Sequence, residues 1–228
     1  MEKATVIVIG GGATGVGILR DLAMRGIDVM LLEKADLVNG ASSRYHGLLH
    51  SGGRYAVKDQ EAARECIEEN TILRKIGKSC VESIGGMFVR LDSDDADFEA
   101  SWVEGCKVSG IEARPLTLDE AFRMEPRLSR HIVSAYAVPD AAIDGFRMSC
   151  QNVLSAARYG GRYKTYAEVV GILQKNGELE GVRVKNTLTG EEYDIACDIL
   201  VNAAGGWCEK VAVLAGLNVP VQPDKGTL

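Results

Sequence analysis

Residues 4–33 read ATVIVIGGGATGVGILRDLAMRGIDVMLLE, and this stretch decides the fold. The run 4–9 is short, continuous and apolar and ends in glycines, which predicts a fully buried parallel strand. From about Thr14 to Arg25 the apolar residues Val16, Leu19, Leu22 and Ala23 recur at helical spacing, and Gly26 is placed to cap the helix. Residues 28–33 predict a second buried strand. Strand, glycine turn, helix and strand in close succession make a βαβ unit.

The turn between the first strand and the helix, Gly10-Gly11-Gly12-Ala13-Thr14-Gly15, satisfies G-x-G-x-x-G. Gly10 permits the tight turn, Gly12 lets backbone approach a pyrophosphate, and Gly15 lets helix and strand pack closely. The helix N-terminus adds unpaired N–H groups and a partial positive charge facing the phosphates. Glu33, followed by Lys34, closes the second strand 23 positions after Gly10. A carboxylate there accepts both ribose hydroxyls of an adenosine and repels a 2′-phosphate, which favours FAD or NAD over NADP. On these residues alone a glycine turn serving only packing stays open, as does the choice between FAD and NAD.

Residues 35–58 carry turn formers and two histidines without a sustained period, and read as a long functional loop with a short helix. From Asp59 a helix is expected with Ala63, Cys66, Ile67, Leu73 and Ile76 on one face. A strand at 87–91 and a helix containing Phe98, Trp102, Val103 and Cys106 follow. Thr117 to Glu120 has the spacing of a capping box, so a short helix starts there and stops before Pro126. A strand at 133–138, a helix at about 146–159 and a β-meander over 163–202 come next. The meander turns at Asn176-Gly177 and Thr189-Gly190, and its closing strand DILVNAAG leads to a helix from about Trp207. The fold class is α/β, a Rossmann-like dinucleotide-binding domain with a central parallel sheet and a β-meander, plus part of a substrate domain. The expected division is 1–85 and 146–216 for the nucleotide domain, 86–145 for a cap insertion, and 217–228 for the start of a further domain.

The bulk properties narrow the partners. A hydrophobic fraction of 46% with 25% charged residues over 228 residues is that of an ordinary globular chain. The formal net charge of −6 leaves no basic footprint for nucleic acid. Six scattered cysteines without a C-x-x-C pair give neither metal-site spacing nor a disulfide framework, so no metal is expected. Val6 to Ile9 is far too short to span a bilayer and lacks the flanks of a signal peptide. A cytoplasmic location is expected, with docking onto a membrane partner left open. After Pro220 and Pro223 the chain reaches Lys225-Gly226-Thr227-Leu228, which reads as the start of another strand, so a longer parent protein is expected.

The most specific stretch is Gly40 to Tyr55, GASSRYHGLLHSGGRY. It resembles the flavin-adjacent loop of FAD-dependent glycerol-3-phosphate dehydrogenases. The likeness continues through Ala62-Ala63-Arg64-Glu65-Cys66-Ile67 and the N-A-A-G strand to Lys225-Gly226, and is strongest to the catalytic subunit of the anaerobic, membrane-associated type. The resemblance implies FAD as cofactor, since glutathione-reductase-like flavoproteins return a strand ending in A-x-G (here Ala203, Ala204, Gly205) beside the first one. It places the backbone of Val169 at the adenine, against the plainer reading of a core valine. It puts Ala41, Ser42 and Ser43 at the pyrophosphate, to which both serine hydroxyls would donate, against the plainer reading of two turn serines. His46, Gly47 and Leu48 would pass along the isoalloxazine.

Arg54 and Tyr55 match the family positions that hold the substrate phosphate, a task that suits a guanidinium fork, against the plainer reading of a surface arginine. His50 matches a histidine shared with the aerobic relatives and is the candidate base, against the plainer reading of a structural hydrogen-bonder; a histidine that those relatives carry after K-G-S is Leu228 here and is not carried over. The implied reaction oxidises sn-glycerol 3-phosphate to dihydroxyacetone phosphate and passes electrons towards quinone. The implied partners are quinone-linked or iron-sulfur subunits, with the membrane reached only through them. The family's later glycine-rich segment, remaining substrate strands and cysteine-rich region have no counterpart in residues 1–228, so these residues alone are expected to bind FAD weakly and to lack turnover. Two other readings stay open: an amino-acid or 2-hydroxy-acid oxidase of the same fold, and a non-catalytic nucleotide-binding domain.

Overall fold

The computed structural model describes residues 2–223. Its elements in chain order begin with β1 (Glu2–Ile9), α1 (Ala13–Met24), β2 (Val29–Leu32), β3 (Leu48–Leu49), α2 (Gln60–Ile76) and β4 (Val81–Glu82). They continue with β5 (Gly86–Leu91), α3 (Ala96–Ser109), β6 (Arg114–Leu116), α4 (Leu118–Met124), β7 (Ile132–Val138) and β8 (Ala141–Ile143). The last are α5 (Gly145–Arg158), β9 (Arg162–Lys164), β10 (Ala167–Lys175), β11 (Glu178–Asn186), β12 (Glu192–Asn202) and α6 (Cys208–Leu214). The described residues form two compact units, 2–46 with 145–223, and 47–144; the strand start expected at 225–228 lies outside the described residues. The sequence-based boundary at 85/86 therefore differs from the packing boundary at 46/47. Residues 47–85 go with the second unit because Ala63 of α2 packs with Trp102 and Cys106 of α3, and β3 and β4 both pair with β8.

The first unit holds a six-stranded sheet in the order β10-β11-β12-β1-β2-β9. β12, β1, β2 and β9 run parallel, and β10, β11 and β12 form the antiparallel meander. The continuous apolar runs of β1 and β2 follow from burial on both faces. Val6, Val8, Val29 and Leu31 point to one face, where Val16, Leu19 and Ala23 of α1 meet Val153 and Ala156 of α5. Ile7, Ile9, Met30 and Leu32 point to the other, where Val169, Val182, Val184 and Ile195 of the meander close over them. Each such buried aliphatic chain contributes about 1.5–3 kcal/mol. The β10–β11 turn has Asn176 at φ 53° and Gly177 at φ 82°, the paired positive values that an Asn-Gly hairpin turn supplies.

The second unit carries two three-stranded antiparallel sheets, β5-β7-β6 and β3-β8-β4, with α2, α3 and α4. The capping box forms as expected: Thr117 Oγ1 accepts from the Glu120 amide and the Glu120 carboxylate from the Thr117 amide. The expected apolar face of α2 needs correction at its end, because Ile76 is 68% exposed and the buried residues are Ala63 and Asn70. Tyr136 donates to Glu99, which also pairs with Arg90; these contacts, the tyrosine's first, hold the Glu99 carboxyl below its ordinary range. All six cysteines are free thiols, and burial pushes those of Cys106 and Cys197 up to about 11, so both are inert near neutrality.

Candidate functional site

Only Gly fits at two positions of the β1–α1 turn. Gly10 sits at φ +110°, and a Cβ there would stand 2.5 Å from the Ala203 carbonyl oxygen. At Gly15 a Cβ would stand 1.9 Å from the carbonyl oxygen of Gly10, so the first turn of α1 lies directly on the end of β1. The helix opens at Gly12 without a side-chain cap and without an acidic residue in its first turn, as an anion site requires. Ser42 Oγ accepts from the Ala13 amide at 3.0 Å, which leaves the hydroxyl hydrogen to donate.

A cleft of about 590 Å³ opens at this turn, within the range of small-molecule sites. Gly10, Gly12, Ala13, Thr14, Glu33, Lys34, Ala41 and Ser42 line one side, and Val169, Ala203, Ala204 and Gly205 line the other. The Glu33 carboxylate accepts from the amides of Gly11 at 2.7 Å and Ala35 at 2.9 Å. These bonds fix its orientation, and each oxygen keeps a lone pair for a ribose hydroxyl. The Val169 side chain belongs to the core, but the β10 register slips between Val169 and Gly171, where a bulge loosens the backbone ladder beside the cleft.

The other residues expected at the cofactor do not line this cleft. Gly11 spends its amide on Glu33, and Gly15 takes the packing role expected of it. Ser43 does not line the cleft; its hydroxyl donates to the Gly40 carbonyl of its own turn at 3.2 Å, the plainer reading of that serine. His46 is exposed at the end of the first unit's opening segment. Gly47 and Leu48 begin the second unit, where Gly47 accepts from the Ile143 amide and Leu48 pairs with Ala142.

The cleft also recruits residues that the sequence reading missed. Arg44 and Lys210 add positive charge, and Trp207, Val211 and Leu214 add apolar wall. Lys34 Nζ lies 4.8 Å from the Trp207 ring centre, a cation–π contact at the rim. Val211 and Leu214 recur at helical spacing in α6, the one signal that could have announced them.

Within the second unit, a single turn of 3-10 helix at Gly53–Tyr55 presents Arg54 and Tyr55, both exposed, with the guanidinium 5.3 Å from the phenol ring. Trp102 Nε1 donates to the Gly53 carbonyl at 2.7 Å, and Gly105 of α3 leaves room for the Ala56 carbonyl. The turn is thus pinned from α3 while its cation faces solvent. His50, three residues before Gly53, is 28% exposed and stands 3.6 Å from the Asp140 carboxylate.

A glycine cradle at a helix N-terminus, an oriented carboxylate at the next strand end and a parallel sheet with a meander define a dinucleotide-binding α/β protein of the flavoprotein class. Ordered acceptors for ribose, cationic and amide donors for a diphosphate, and an apolar wall all fit the adenosine diphosphate half of FAD. The chain belongs to the FAD dependent oxidoreductase family, whose profile matches residues 5–228. Over its whole length it is 47% identical to a subunit of the anaerobic glycerol-3-phosphate dehydrogenase of Haloferax volcanii, covering 41% of that protein. It is 44% identical, again over its whole length, to the corresponding subunit of the anaerobic glycerol-3-phosphate dehydrogenase of Escherichia coli K12, covering 42% of that protein. The chain thus spans about two fifths of the relatives it matches. The fold is similar to that of L-proline dehydrogenase from P. horikoshii, with a TM-score of 0.81 and 24% identity over 97% of this chain and 58% of that one. Among the described residues no helix is long and apolar enough to cross a membrane.

Proposed function

We propose that this chain is part of the catalytic subunit of a glycerol-3-phosphate dehydrogenase that oxidises sn-glycerol 3-phosphate to dihydroxyacetone phosphate. The observation that carries the reading is identity of 44–47%, sustained along the whole chain, with relatives bearing that name. Bound FAD supplies the acceptor for the two electrons and the hydrogen that leave the substrate carbinol carbon. Ala13, Thr14, Ser42 and Glu33 hold its adenosine diphosphate half, with the Val169 backbone and the Ala203 to Gly205 turn opposite. Arg54 and Tyr55 bind the substrate phosphate by charge-assisted and neutral hydrogen bonds. His50 takes the hydroxyl proton. His46, Gly47 and Leu48 border the flavin ring. Electrons then pass towards quinone through partner subunits, which also bring the protein to the inner face of the membrane.

The test is anaerobic mixing of the flavin-loaded holoenzyme with candidate substrates while the visible flavin band is followed. Glycerol 3-phosphate is expected to bleach it within seconds, and L-amino acids and 2-hydroxy acids to leave it unchanged. Bleaching by an amino acid and not by glycerol 3-phosphate would replace this reading with that of another oxidase of the family.

A further inference from the structure

His50 is held by a neighbour that no feature of the sequence announces. The Asp140 side chain is only 9% exposed, and its Oδ1 accepts from the Ser51 amide at 2.6 Å. Its Oδ2 faces His50 Nδ1 at 3.6 Å, the separation of an ion pair and beyond that of a hydrogen bond. The Asp140 side chain lies directly against Gly86, where a Cβ would stand 2.8 Å from it, so only glycine at that position leaves the carboxylate its place. The two backbones are also tied to each other. Asn70, fully buried in α2, donates from one amide nitrogen to the carbonyls of Leu49 at 3.1 Å and Pro139 at 3.2 Å. These residues immediately precede His50 and Asp140. One buried amide therefore fixes the register of both segments.

We propose that Asp140 is the positioning residue for His50, orienting the imidazole and stabilising the imidazolium formed when His50 takes the substrate proton. The proposal rests on the reading of His50 as the base. A carboxylate offers only acceptors, so the nitrogen facing it carries the ring proton and Nε2 takes the one from the substrate. In that step the substrate O–H bond breaks and its proton goes to Nε2. Bound FAD would accept the electron pair of the breaking C–H bond as the carbonyl forms, so the two electrons that the substrate loses have an acceptor. The positive charge then on His50 stands beside a buried negative one, where attraction is strong.

Asp140→Asn tests this in the flavin-loaded holoenzyme, because it keeps the volume and leaves an oxygen to accept from Ser51. The expected result is a kcat lowered roughly tenfold or more, with KM within about twofold. Asp140→Ala, should the amide disturb folding, is expected to lose kcat similarly and to regain part of it with added formate. The readout independent of turnover is the ¹⁵N signal of the neutral His50 ring in histidine-labelled protein, assigned by its absence in His50→Asn. It is expected to report the Nδ1–H tautomer in the native protein and to lose that preference in Asp140→Asn. Native kcat with an unchanged tautomer in Asp140→Asn overturns the proposal. His50→Asn separates the two readings. If it retains kcat, the base assignment falls and takes the role of Asp140 with it; if it loses kcat while Asp140→Asn does not, only the present proposal falls.

Discussion

Gly15→Ala is expected to destabilise the protein by roughly 3 kcal/mol or more and to abolish retention of FAD. The reason is geometric. The new methyl would stand 1.9 Å from the Gly10 carbonyl oxygen, a backbone atom with no rotamer to adopt. Relief requires α1 to lift from β1, which breaks the packing of Val16 and Leu19 against Val6 and Val8 and carries the helix amides away from the phosphate position. Denaturant midpoints and the flavin absorbance of purified protein measure the two effects together. A variant with the native midpoint and a full complement of flavin would show that the helix does not rest on the strand as described.

Arg54→Ala is expected to raise the KM for glycerol 3-phosphate by roughly ten- to a hundredfold, with a smaller change in kcat. A charge-assisted hydrogen bond contributes about 1.5–3 kcal/mol, and each 1.4 kcal/mol is tenfold in binding. The fold should be untouched, since the Arg54 side chain is exposed and the turn is pinned by the Gly53 carbonyl, not by the guanidinium. Arg54→Lys is expected to recover only part of the loss, because an ammonium cannot make the planar two-point contact. Steady-state kinetics over substrate concentration check this, and a KM within about twofold of native would remove Arg54 from the phosphate site.

How much of this was legible in the sequence depends on range. The βαβ unit, the long helices and the meander were readable because local periodicity and turn chemistry agree with the tertiary outcome, as at Asn176-Gly177 and Thr117-Glu120. Strands β3, β4, β6, β8 and β9 have two or three residues each, too few for a period to show. The first-unit cleft was half visible. Gly10, Gly12 and Glu33 announce themselves by motif spacing, whereas Arg44, Trp207 and Lys210 reach it only through the fold. A serine pair in a turn does not reveal which hydroxyl turns inward, and only the fold shows Ser43 donating to its own turn. Asn70 falls on the buried face of α2 between Ile67 and Leu73 and there donates to two carbonyls from distant segments, a long-range demand without a local signature. Asp140 lies 90 positions from His50 and was invisible for the same reason.

The claim on which the rest stands is that the cleft at the start of α1 grips the adenosine diphosphate half of FAD. Its most direct measurement is a titration of the flavin-stripped full-length enzyme with FAD, followed by quenching of flavin fluorescence, with Glu33→Ala alongside. The account predicts saturable binding at one FAD per chain, displacement by ADP, and an affinity weakened roughly tenfold or more in the variant. Fluorescence that never quenches, or binding that neither ADP nor the loss of the Glu33 carboxylate disturbs, would contradict it.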